Sequence, residues 1–138
     1  KRIAKEEFDK FSATITLSPV FLQEYIEKSI ELRVTIIGEQ VFTAAIHSQE
    51  FERTKSGWRA IDTYQIKHTL YDLPETIANK LLAFNRHYSL VFSTFDLILT
   101  PDGEYYFLEC NPNGQWYWIE DMTKLPMAKA MAKLLLNL

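Results

Sequence analysis

The chain has 138 residues, with 15 Lys and Arg against 18 Asp and Glu, a formal net charge of -3 and 47% hydrophobic residues. Without an excess of basic residues it is not a general nucleic-acid binder, because neutralising phosphates needs Lys and Arg, and it is far too apolar for a disordered chain. No stretch approaches the ~20 apolar residues of a membrane-spanning helix, so one soluble domain is expected.

The opening Lys1-Arg2-Ile3-Ala4-Lys5-Glu6-Glu7 lacks the apolar core of a secretory signal, and the single Cys110 forms no internal disulfide. A reducing, cytoplasmic setting is expected. The start without Met, directly in a charged segment, is what a piece of a longer protein would have.

From Phe21 to His47 the pattern is mostly extended. Leu32, Val34 and Ile36 alternate with Arg33 and Thr35, and Gly38-Glu39-Gln40 turns the chain before Val41 to Ile46, which predicts a hairpin. Ser48 to Tyr71 reads as an irregular loop made basic by Arg53, Lys55, Arg59 and Lys67 around Ser56-Gly57-Trp58. A helix is predicted over Leu73 to Tyr88, with Asp72 as cap, Pro74 and Glu75 in the first turn, and Ile77, Leu81, Phe84 and Tyr88 at helical spacing. Two strands follow, Leu90 to Leu99 and Tyr105 to Cys110, antiparallel across the turn Thr100-Pro101-Asp102-Gly103. After Pro126, the stripe Met127, Met131, Leu134, Leu135 and Leu138 predicts an amphipathic helix. The order β-β-α-β-β-α gives an α+β fold, a mainly antiparallel sheet flanked by helices.

Most informative is Phe107-Leu108-Glu109-Cys110-Asn111-Pro112-Asn113-Gly114. Alternation along a strand sends Glu109 and Asn111 to one face and Cys110 to the other, toward packed core. If Leu99 pairs with Glu104, Asp96 lies opposite Phe107, on the face of Glu109 and diagonal to it. A slip of one residue would reverse that face. Two carboxylates and an amide oxygen suit Mg²⁺, which completes its shell with water and substrate phosphates. The alternative is a solvated strand end whose Asn-Pro-Asn-Gly merely turns the chain.

Phe21-Leu22-Gln23-Glu24-Tyr25-Ile26, Glu31-Leu32-Arg33-Val34, Phe95-Asp96-Leu97-Ile98 and Glu109-Cys110-Asn111-Pro112 follow one another in an order that resembles the C-terminal half of the ATP-grasp ligases. Within that superfamily, Glu-Leu-Arg-Val, the loop Thr54-Lys55-Ser56-Gly57-Trp58-Arg59 and Asn111 to Trp116 look most like the microviridin-type maturases that make graspetides. The resemblance covers nearly all of residues 1–138 and implies the C-terminal part of an ATP-grasp domain, with ATP and two Mg²⁺ ions. It implies that Gln23, Glu24, Tyr25 and Ile26 form the adenine hinge and that Glu31 meets the ribose. Arg33 and Arg59 would serve the phosphates, and Asp96, Glu109 and Asn111 the magnesium. Against these roles stand an ordinary strand entry at the hinge, an exposed ion pair for Glu31 and Arg33, and a solvated basic loop for Arg59. Where the maturases usually carry an Asp before the Trp-Arg pair, this chain has Gly57.

The implied reaction activates a carboxylate as acyl-phosphate, releases ADP, and joins a hydroxyl or amine to give a side-chain ester or amide in a ribosomal precursor peptide. The preceding half of the domain would supply a glycine-rich loop, so the isolated piece is expected to be inactive. Two alternatives are an amino-acid-adding ligase of the ribosomal-protein-glutamate or glutathione-synthetase type, and a non-catalytic ATP-grasp binding module. Trp116-Tyr117-Trp118 either floors a peptide cleft or packs beside the last helix. Exposed aromatic surface leaves a homodimer open. His47, His68 and His87 lack metal-ligand spacing.

Overall fold

The computed structural model describes residues 3–15, 19–50, 52–55, 57–60 and 62–137; Ser56 and Leu138, both singled out above, lie outside them. Among the described residues there are four helices, α1 (Lys5–Ile15), α2 (Glu75–His87), α3 (Tyr117–Thr123) and α4 (Met127–Leu136). Five strands join them: β1 (Ile30–Ile37), β2 (Gln40–Ile46), β3 (His68–Leu70), β4 (Phe92–Leu99) and β5 (Tyr105–Asn111). The strands form one antiparallel sheet in the order β3-β2-β1-β4-β5. Among the described residues no helix is long and apolar enough to cross a membrane.

The two alternating sets of β1 decide the layers. Leu32, Val34 and Ile36 face α2, where they meet Phe95, Leu97 and Leu81, with Ile77 and Phe84 packed against them. Ile37 faces the opposite way, with Ala44 of β2, and is covered by Ile119 of α3 and Met127 and Ala130 of α4. Covered on both sides, β1 is buried from Glu31 to Ile37. That includes Glu31, Arg33 and Thr35, of which the Glu31 carboxylate and the Arg33 terminal nitrogens find partners inside the protein, while Arg33 Nε and the Thr35 hydroxyl have none among the described residues.

The predicted hairpin forms with Ile37 opposite Gln40, and Gly38 takes a left-handed φ of 59° that a side chain would resist. Three local readings are corrected. The segment 48–66 is not a formless loop: it holds four 3₁₀ turns, and after it His68–Leu70 adds an edge strand. These pieces are too short for periodicity to reveal them. The cap expected from Asp72 is not made; Pro74 occupies the N-cap, its carbonyl accepting from Ile77 and Ala78 N–H at 2.9 and 3.0 Å. Finally, Trp116-Tyr117-Trp118 leads into a helix, α3, that its aromatic composition concealed.

The register of β4 and β5 also differs from the expected one. Leu99 pairs with Tyr105, not Glu104, so Leu97 meets Phe107. Continued regularly, that pairing would turn Asp96 and Glu109 to opposite faces. A bulge at Leu108 adds one unpaired residue, and beyond it Asp96 pairs directly with Glu109, Phe95 with Cys110 and Thr94 with Asn111. Cys110 thereby joins the α2 side, as alternation predicts.

Phe95 is fully buried at the centre of the α2 side, against Phe84 and Phe107. Phe95→Ala is expected to cost about 3–5 kcal/mol, and Leu70→Ala, at an exposed edge position, under about 0.5 kcal/mol. Urea denaturation of both variants checks the contrast.

Candidate active site

The site lies on the α3/α4 side of the sheet, where β1, β4 and β5 run side by side. Arg33 and Asp96 are direct neighbours across β1 and β4, and Asp96 and Glu109 across β4 and β5. One row of the sheet thus reads Arg33, Asp96, Glu109. Arg33 Nη1 donates to Asp96 Oδ1 at 2.7 Å, with both side chains buried. Arg59 reaches in from the 48–66 segment, and its Nη2 donates both to Asp96 Oδ2 at 2.7 Å and to Glu109 Oε1 at 3.1 Å. Asn111 Nδ2 donates to the same Glu109 oxygen at 2.9 Å, which leaves the Asn111 amide oxygen unengaged by that bond.

Burial alone would favour protonation of Asp96, but the Arg33 and Arg59 guanidiniums outweigh it and hold the carboxyl below its usual range. The site is an ionised carboxylate gripped from two sides. Asp96, Glu109 and Asn111 are hard oxygen donors, and a guanidinium already bridges the two carboxylates, so the donor set fits Mg²⁺. The three predicted ligands are indeed brought together.

Other predicted residues are placed differently. Arg33 is 5% exposed at its side chain, and its Nη2 donates to the Gln115 carbonyl at 3.0 Å. With both terminal nitrogens taken and Gly114-Gln115 close against it, Arg33 braces Asp96 within the sheet layer. Glu31 is also buried: its Oε1 accepts from Lys28 Nζ at 2.8 Å and from the Trp58 backbone N–H at 3.1 Å. It pins the Trp58-Arg59 turn to β1, and so aims Arg59. Gln23, Glu24 and Tyr25 lie exposed in the stretch before β1, with Ile26 half-buried. That stretch is no strand; the sheet begins where Ser29 N–H meets the Leu99 carbonyl at 2.8 Å.

Arg59 is backed by aromatic rings that sequence reading left unassigned. Its guanidinium carbon stands 4.5 Å above the Trp58 ring centroid, a cation–π contact. Trp58 in turn packs on Trp118 at 5.1 Å, and the His68 ring meets Trp118 edge-on at 5.4 Å. An open groove of about 380 Å³ runs along this face, lined by Trp58, Arg59, Asp62, Tyr64, Gln115 and Trp118. Trp118 thus packs against the core and also lines the groove.

A scan against family models matches residues 3–135 to the RimK-like ATP-grasp domain. The chain belongs to the RimK-like ATP-grasp family. No curated protein matches it. Among solved structures it is similar to the macrocyclase MdnC of Microcystis aeruginosa MRC, bound with precursor peptide MdnA, at 39% identity and a TM-score of 0.80 over 98% of this chain and 42% of that one. It is also similar to a Chryseobacterium gregarium RiPP-associated ATP-grasp ligase in complex with ADP and a leader and core peptide. There the identity is 28% and the TM-score 0.89, covering 99% of this chain and 41% of that one. The macrocyclase MdnB of Microcystis aeruginosa MRC matches at 30% identity and a TM-score of 0.68, over 98% of this chain and 46% of that one. The chain thus spans less than half the length of these relatives.

Gly114 has no room for a side chain: an added Cβ would lie 1.9 Å from Thr94 Oγ1 and 3.1 Å from Arg33 Nη2. Gly114→Ala is expected to destabilise the chain by roughly 1–3 kcal/mol, and Thr94→Ala in the same chain to recover part of the loss by removing the hydroxyl. Thermal denaturation of the single and double variants tests this.

His68 provides a pH test. Burial pushes its imidazole below the usual 6.5 more strongly than the Ile66 carbonyl, accepting from Nδ1–H at 2.7 Å, pushes it up. Nε2 is buried without a partner and so stays unprotonated. The unfolded chain takes up this proton first, so stability present above the usual His range is lost as pH falls from 6.5 toward the folded value. Denaturation midpoints across that window should fall for the native chain and fall less for His68→Gln.

Proposed function

We propose that this chain is the C-terminal part of the ATP-grasp domain of an ADP-forming ligase, one that joins side chains of a ribosomal precursor peptide through esters or amides. The observation that carries the reading is the row Arg33, Asp96, Glu109 capped by Arg59, an arrangement of anionic oxygens and an exposed guanidinium suited to phosphoryl transfer. The likeness to macrocyclases and a RiPP-associated ligase, in structures holding precursor peptide or ADP, supports the substrate class.

In this reading the Glu24 carbonyl and Ile26 N–H serve the adenine edge from the extended stretch before β1. Asp96, Glu109 and Asn111 hold Mg²⁺, which when bound neutralises charge on the transferred phosphoryl. Arg33 keeps Asp96 ionised and oriented. Arg59 meets the phosphoryl oxygens, where its planar guanidinium donates two parallel hydrogen bonds. The Trp58-Trp118 groove beside Arg59 holds the peptide with its carboxylate near the γ-phosphate. Phosphorylation converts that carboxylate into an acyl-phosphate with a leaving group, and attack by a hydroxyl or amine then expels phosphate. No protein nucleophile takes part. The single, half-buried cysteine is consistent with a reducing compartment, and we place the enzyme in the cytoplasm.

The test is intact-mass analysis of an acidic precursor peptide encoded near the gene, after incubation with the full-length enzyme, ATP and Mg²⁺. Loss of one water per ring, with matching ADP, is expected, and Glu109→Ala should slow it about a hundredfold or more. The 138-residue chain alone should form no ADP. A mass gain equal to an amino acid would instead assign terminal ligation, and an unchanged peptide without ADP would overturn the ligase reading.

A further inference from the structure

Arg33 and Arg59 both pair with Asp96, yet they are held very differently. The Arg33 side chain is 5% exposed and spans two partners inside the sheet layer, whereas that of Arg59 is 58% exposed and enters from a segment of 3₁₀ turns. An ion pair with one partner open to water is more weakly held than one buried on both sides and bonded through both terminal nitrogens, as Arg33 is. Of the two guanidiniums on Asp96, only Arg59 is free to leave.

Its position matters because a single nitrogen, Nη2, bridges Asp96 Oδ2 and Glu109 Oε1 at 2.7 and 3.1 Å. That is where a divalent cation shared by the same two carboxylates would sit. A guanidinium and a divalent cation cannot both occupy it, since like charges at such separations repel strongly. The local charge count gives the same answer. With Arg59 in place, two carboxylates face two guanidiniums and the cluster is neutral; with Arg59 withdrawn, it carries one net negative charge and attracts a cation. The ring of Trp58, 4.5 Å below the guanidinium carbon, offers a cation–π contact over which the side chain can swing without losing its support.

We propose that Arg59 is a built-in counter-ion that competes with the divalent cation for Asp96 and Glu109, so that the cation's arrival releases the guanidinium toward the phosphoryl group. Cation binding and delivery of Arg59 are then one event, and the site is not armed by nucleotide alone. This rests on the metal role given above to Asp96 and Glu109.

The test measures Mn²⁺ affinity of the full-length enzyme with ADP bound, from the electron paramagnetic resonance signal of free Mn²⁺. Arg59→Gln, which removes the competing charge, is expected to tighten Mn²⁺ binding roughly tenfold, with Arg59→Lys close to the native affinity. In a parallel Mg²⁺ titration, tryptophan emission of the native enzyme should change as Arg59 shifts its position over the Trp58 ring, a change that Trp58→Phe and Arg59→Gln both remove. Unchanged or weaker Mn²⁺ binding in Arg59→Gln would overturn the competition while leaving the metal site standing. Equal Mn²⁺ affinity in the native enzyme and in Asp96→Asn would instead overturn the metal site, and the proposal with it.

Discussion

Everything at this site depends on one buried carboxylate. Asp96 sits in the interior of the sheet, where an unpaired charge would be costly, and it remains ionised because two guanidiniums close on its two oxygens. That demand organises the surroundings. Arg33 has to lie directly across the strand pair, and Gly114-Gln115 has to pass close enough for the Gln115 carbonyl to take up its second nitrogen. The tight passage is why residue 114 is glycine.

The charged groups of the site lie on one face of the sheet. The α2 face is an aliphatic and aromatic core around Leu32, Val34, Phe95 and Leu97. The same strands carry Glu31, Arg33, Thr94 and Asp96 on the alternate positions, buried beneath the loops and α3/α4 instead of exposed. A sheet covered on both sides provides a rigid, partly desolvated platform, on which charged groups interact more strongly than they would in water. The exposed partner, Arg59, is then supplied by the 3₁₀ turn Trp58–Ala60, anchored at Trp58 by Glu31 and Trp118.

Much of this was legible in the residues. Strand and helix periodicities located β1, β2, α2, β4, β5 and α4, because each is long enough to show its period and is bounded by Gly or Pro. That Glu109 and Asn111 share a face was visible from alternation, and the order of Asp96, Glu109 and Asn111 along the chain carried the family resemblance. The helices α1 and α3 escaped, and so did β3 and the 3₁₀ turns, which are three residues long each. Tertiary contacts, such as those of Ser48 and Thr54 buried beside the sheet, decide such short segments.

By itself, then, the sequence determined the α+β class, the face on which Glu109 and Asn111 lie together, and the family. The structure alone decided the register, because the expected turn pairing was off by one residue and the unpaired Leu108 restored Asp96 to the face of Glu109. A bulge leaves no mark in hydrophobic alternation when the residues around it are mixed, as Phe107-Leu108-Glu109-Cys110 are. Tertiary packing also decided that Arg33 and Glu31 support the site from below while Arg59 enters it from above. Alternation assigns a residue to a face, but only the chain that crosses over that face determines whether its side chain is covered.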